Sequence, residues 1–132
     1  MAEPNPHLKG SPSPVILVVD DDDSVRQMMC AILQRNGYSV LDASDGKGAL
    51  TICDGHQGDI QMLLTDITMP QMSGVELADL VSARHPQIKV LFVSGYSTEA
   101  TIHRKLPGSA HGFLAKPFTH EELTHKINEL LS

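Results

Sequence analysis

A chain of 132 residues has room for one domain, which at that size buries about two-thirds of the surface its unfolded form exposes. A net charge of −6 with no local Lys/Arg cluster argues against nucleic-acid binding by this domain, and seven histidines offset that charge only at acidic pH. No apolar run approaches transmembrane length and no signal-peptide core opens the chain, so a soluble, cytoplasmic domain without membrane contact is expected.

The first fourteen residues, MAEPNPHLKGSPSP, hold four of the eight prolines and almost nothing apolar. They read as a flexible, solvated leader, residues 1–14, ahead of a domain at 15–132. From Val15 onward, short apolar runs alternate with amphipathic stretches. Strands are expected at 15–19, 39–43, 60–65, 90–94 and 112–115. The first, third and fourth are apolar along most of their length, as strands covered on both faces are. Val25, Met28, Met29, Ile32 and Leu33 make a helical stripe that Asn36-Gly37 closes. Ala49, Leu50 and Cys53 make a shorter one. Cys30 and Cys53 lie in separate predicted helices and lack any metal-binding spacing, so reduced thiols in or near the core are expected.

Two later helix starts are written out fully. Ser73-Gly74-Val75-Glu76 is a capping box, with Met72 and Leu77 placed as its hydrophobic staple; Thr119 to Glu122 is a second, stapled by Phe118 and Leu123. Leu123, Ile127, Leu130 and Leu131 should face inward. A helix over 98–106 is only weakly patterned. Five βα units in this order predict an α/β fold, a doubly wound parallel sheet with helices on both faces. Ligands of such sheets gather at the carboxyl ends of the strands.

Four predicted strands end on polar groups. They are Asp20 and Asp21 after the first, Asp66 after the third, Ser94 after the fourth and Lys116 after the fifth. Three carboxylates, a hydroxyl and an ammonium suit a divalent-cation and phosphoryl site. A hard cation such as Mg²⁺ takes carboxylate, carbonyl and water oxygens. Asp21 and Asp66 supply two ligands, Asp20 holds a coordinated water, and the backbone carbonyl of Thr68 adds another. Asp22 and Asp23 belong to the first turn of the following helix, where carboxylates suit the N-terminus. Asp66 can accept a phosphoryl group as an acyl phosphate. Lys116 neutralises charge, and Ser94 donates a hydrogen bond to a phosphoryl oxygen.

These residues resemble a known family, the receiver domains of two-component response regulators, through "ILVVDDD", "LLTDITMPQMSG", "VLFVSGY" and "FLAKPF" in order. The resemblance implies a CheY-like, flavodoxin-like sheet of five strands in the order 2-1-3-4-5. It implies that Asp66 is the phosphoacceptor, that Asp20, Asp21, Asp66 and Thr68 surround Mg²⁺ (with Mn²⁺ as a substitute), and that Ser94 and Phe113 form the switch. It also places Thr68 and Tyr96 where phosphate lifetime is tuned, and implies a cis Lys116–Pro117 bond. The implied phosphodonor is a histidine kinase or histidine phosphotransfer domain. The implied output is a changed surface on the fourth helix, fifth strand and fifth helix, presented to a downstream protein. "VSGYS" and "KPFTHEEL" are similar to receivers attached to hybrid histidine kinases. Such a domain performs one phosphotransfer and a slow hydrolysis, and is not a conventional enzyme.

Two other readings compete. "DDDSV" from Asp21 also satisfies the D-x-D-x-[TV] pattern of haloacid-dehalogenase-type phosphatases, with Asp21 as nucleophile and Asp23 as acid/base. Only Glu121-Glu122 follows the lysine where such enzymes need a further acidic pair. The other reading is a non-phosphorylated interaction module with a degenerate site, against which the intact Asp66, acidic pair and Lys116 speak. "HEELTH" fails as a zinc-protease motif, because its histidines are five apart and so off one helical face.

Overall fold

Five parallel strands lie in the order β2-β1-β3-β4-β5, β1 being Val15–Val19, β2 Ser39–Ala43, β3 Met62–Asp66, β4 Lys89–Ser94 and β5 His111–Ala115. The structure is a computed structural model and describes residues 13–95 and 111–132. The expected helix over 98–106, Tyr96 and residues 1–12 of the leader lie outside the described residues. The described helices are α1 (Asp23–Arg35), α2 (Gly46–Gly55), α3 (Gly74–Arg84) and α4 (His120–Leu131).

Alternation along the central strands builds two cores from one sheet. Leu17, Val19, Leu63 and Phe92 face a core completed by α2 and α3, through Ala49, Cys53, Leu77 and Val81. Ile16, Val18, Leu64, Leu91 and Val93 face the opposite core, completed by Met29, Ile32 and Leu33 of α1 and by Leu123 and Ile127 of α4. The strands read as apolar along most of their length, β1, β3 and β4, are the three interior ones. The half-polar β2 and β5 are the edges.

The helix boundaries follow their local chemistry. Asp22 caps α1 by accepting the Val25 amide at 3.1 Å. Past its end, Gly37 takes φ 91°, the amide of Gly37 bonds the Gln34 carbonyl, and that of Tyr38 bonds Leu33. This is a Schellman stop, which glycine reaches without a Cβ penalty. Both capping boxes form reciprocally, Ser73 with Glu76 and Thr119 with Glu122. Met72 shares a core with Leu77, and Phe118 shares the other with Leu123.

Strands β4 and β5 each begin one residue earlier than expected, and three further expectations need adjustment. Met28 is 38% exposed, because adjacent Met28 and Met29 are about 100° apart on the helix and only Met29 faces the sheet. The third strand runs 62–66 rather than 60–65. Gln61 already bonds the Val15 carbonyl ahead of it, and the ladder against β4 extends to Asp66↔Val93. Leu130 and Leu131 are only partly buried at the end of α4.

Candidate functional site

At the carboxyl end of β1 the chain turns directly into α1, and the four aspartates part company there. Asp20 is wholly buried, its Oδ1 accepting the Asp22 amide at 2.9 Å and its Oδ2 receiving the Lys116 ammonium at 3.0 Å. Asp21 is exposed. Asp22 is the cap, and Asp23 in the first turn of α1 pairs with Arg26 at 2.6 Å. The run is therefore two site carboxylates followed by two that serve the helix.

Asp66 is the last residue of β3, 8% exposed, with Oδ2 3.6 Å from the Lys116 ammonium. Burial pushes its carboxyl pKa above the ordinary value; Lys116 opposes this, Asp20 adds to it, and the backbone amides of Ile67 and Thr68 oppose it. Desolvation outweighs the lysine. The loop beyond is tightly held. The Ile67 amide bonds the Val93 carbonyl, and the Gly74 amide at the start of α3 bonds Ile67 at 2.8 Å. A Cβ on Gly74 would stand 2.1 Å from the Asp66 carbonyl oxygen, so only glycine lets α3 approach this closely. Gln71, between them, has φ 71°. Thr68 is exposed, two residues past Asp66.

Ser94 closes β4 and is 1% exposed. It pairs with Ala115 of β5, and its carbonyl accepts the Lys116 amide at 2.8 Å, which carries the lysine from the sheet edge toward Asp20 and Asp66. The Lys116–Pro117 bond is cis. Phe113, opposite Phe92, is half-buried against the core beneath α2 and α3.

Topology thus brings four strand ends together. Asp20, Asp21 and Asp66 offer carboxylate oxygens that all lie within 4.8 Å of one another. Lys116 pairs with two of the three. Three carboxylates against one ammonium leave an excess of negative charge, two of them out of water. An oxygen-only donor set with that excess fits a hard dication. Sequence reasoning missed two residues. Arg26 gave a signal only as a cation one turn into an acidic helix start. Gly74 gave one as a poor helix former at the first helical position.

The response regulator receiver domain family matches residues 16–128. The sensor kinase CckA of Brucella abortus (strain 2308) is 39% identical over 92% of this chain, which spans 13% of that kinase. The response regulator receiver protein CpdR of the same organism is 30% identical over 88% of this chain and 95% of its own length. A crystal structure of the receiver domain from hybrid histidine kinase CckA superposes with a TM-score of 0.76 at 32% identity, covering 89% of this chain and 99% of that one.

Proposed function

The chain belongs to the response regulator receiver family, and on that premise we propose that Asp66 takes a phosphoryl group from a phosphohistidine while Asp20, Asp21, Asp66 and the Thr68 carbonyl hold Mg²⁺. It is a phosphoacceptor domain with a clustered aspartate triad, turning over once rather than catalytically. The single observation that carries the residue assignment is that cluster beside one lysine at the switch point between β1 and β3.

In the transfer an Asp66 carboxylate oxygen forms the bond to phosphorus as the bond from phosphorus to imidazole nitrogen breaks. The freed imidazole takes its proton from solvent. Asp66 needs no general base, because an ionised carboxylate has no proton to lose. Its burial keeps the nucleophile poorly solvated. Lys116, which pairs with Asp20 and Asp66, would meet charge on the phosphoryl oxygens, and the Ser94 hydroxyl would donate to one of them. Bound Mg²⁺ would supply charge neutralisation to the same oxygens.

The added phosphoryl carries about −1.5 to −2 charges at neutral pH. Ser94 moving toward it, with Phe113 turning inward, would alter β5 and α4 and so the surface offered to a downstream protein. Thr68 and Tyr96 would set how long the adduct lasts. The phosphodonor is a histidine kinase or histidine phosphotransfer domain in the cytoplasm. Among the described residues no helix is long and apolar enough to cross a membrane. The phosphatase alternative is disfavoured because Asp23, its acid/base, is 74% exposed, engaged with Arg26 and outside the carboxylate cluster.

The test is incubation with Mg²⁺ and a small acyl-phosphate donor, followed by intact-mass and peptide mapping. One hydroxylamine-labile phosphoryl group on Asp66, absent in Asp66→Asn, is expected. Full adduct formation in Asp66→Asn overturns the assignment.

A further inference from the structure

Arg26 stands outside the carboxylate cluster yet reaches the backbone that carries it. Its side chain is 13% exposed, and its guanidinium nitrogens reach three separate acceptors. Nη1 donates to the Asp20 carbonyl at 2.9 Å, Nε to Asp42 Oδ2 on β2 at 3.0 Å, and Nη2 to Asp23 Oδ1 in α1 at 2.6 Å. A planar fork can satisfy three acceptors in fixed directions at once, whereas an ammonium is a point charge on a flexible stem. The Asp20 carbonyl belongs to the peptide that joins Asp20 to Asp21, so the bond fixes the one linkage from which both site carboxylates hang.

We infer that Arg26 is a positioning residue for the dication site, locking the Asp20–Asp21 peptide to β2 and α1 so that both carboxylates stay directed at Asp66. The inference rests on the reading that the aspartate cluster holds a dication. It has a signature that a simple charge effect lacks. A cation beside an acidic site repels a second cation, so deleting Arg26 on electrostatic grounds alone would tighten Mg²⁺ binding. Loss of positioning weakens it. The two effects carry opposite signs.

The experiment is calorimetric titration of the whole chain with MgCl₂ for the wild type, Arg26→Ala and Arg26→Lys, with circular dichroism to verify folding. Removing a group that orients metal ligands commonly costs about 10–100-fold in affinity, and about tenfold is expected for Arg26→Ala. Arg26→Lys, which keeps the charge but not the fork, should fall between it and the wild type. In the metal-free proteins the amide resonances of Asp21 and Asp22 should shift in both variants. Unchanged or tighter binding by Arg26→Ala overturns the inference. Where that variant does not fold, Arg26→Lys decides, and wild-type affinity in it is likewise contrary. A wild type that takes up no Mg²⁺ sinks the dication reading itself, and the positioning role with it; Arg26 variants that match a binding wild type sink the positioning role alone.

Discussion

The two ends of the central strands are built on opposite terms. At the amino ends a neutral side chain closes the backbone: the Val15 amide donates to the Gln61 side chain at 2.6 Å, and the backbone of Gln61 bridges Val15 and Lys89. At the carboxyl ends lie Asp20, Thr65, Asp66 and Ser94, which are all the buried polar or charged residues among those described. The same strands thus carry a neutral amide contact below and a cluster of buried carboxylates above. Buried charge costs stability unless it is matched, and one lysine against three carboxylates matches it incompletely.

Removing that lysine should give the largest change. Lys116→Ala leaves the wholly buried Asp20 without its cation, a loss of about 3 kcal/mol in metal-free denaturant unfolding at neutral pH. Adding Asp20→Asn should recover much of it. Gly74→Ala forces a methyl against the Asp66 carbonyl, and should cost about 1–3 kcal/mol and slow phosphoryl uptake from a small donor, read by mass spectrometry over time. At the opposite end, Gln61→Ala should cost about 1 kcal/mol and leave phosphoryl uptake unchanged. A slowed uptake there would erase the contrast between the two ends.

Most of the architecture was legible because local chemistry and tertiary structure agree. The central strands announced themselves by largely apolar runs, which a doubly covered sheet rewards. Both capping boxes and the Asn36-Gly37 stop formed as written. The carboxylate cluster and its lysine were legible because each of these residues closes a strand or follows directly on its end. What escaped depends on partners distant in sequence. Arg26 is tied to Asp42, sixteen residues on, and Gly74 sits against a backbone oxygen that α3 reaches only once the sheet has formed. Met28 was misplaced because a stripe drawn from residue types is wider than the face the sheet covers.

The smallest effect is also the most telling. Folding raises the pKa of Asp66, so the folded state binds its proton more tightly than the unfolded chain. That stabilisation is present in full below the unfolded value of about 4 and is lost as pH rises through the raised folded value. Ionised Asp66 therefore weakens the metal-free fold at neutral pH, and Asp66→Asn should be the more stable protein there.

Melting curves of wild type and Asp66→Asn, with and without Mg²⁺ at neutral pH and again without it near pH 3, test this directly. Without metal, Asp66→Asn should melt higher at neutral pH and match the wild type at pH 3. Mg²⁺ should raise the wild type more and narrow the neutral-pH gap. A metal-free wild type that melts above Asp66→Asn at neutral pH, or one that Mg²⁺ leaves unmoved, would contradict a strained carboxylate cluster built to receive a dication.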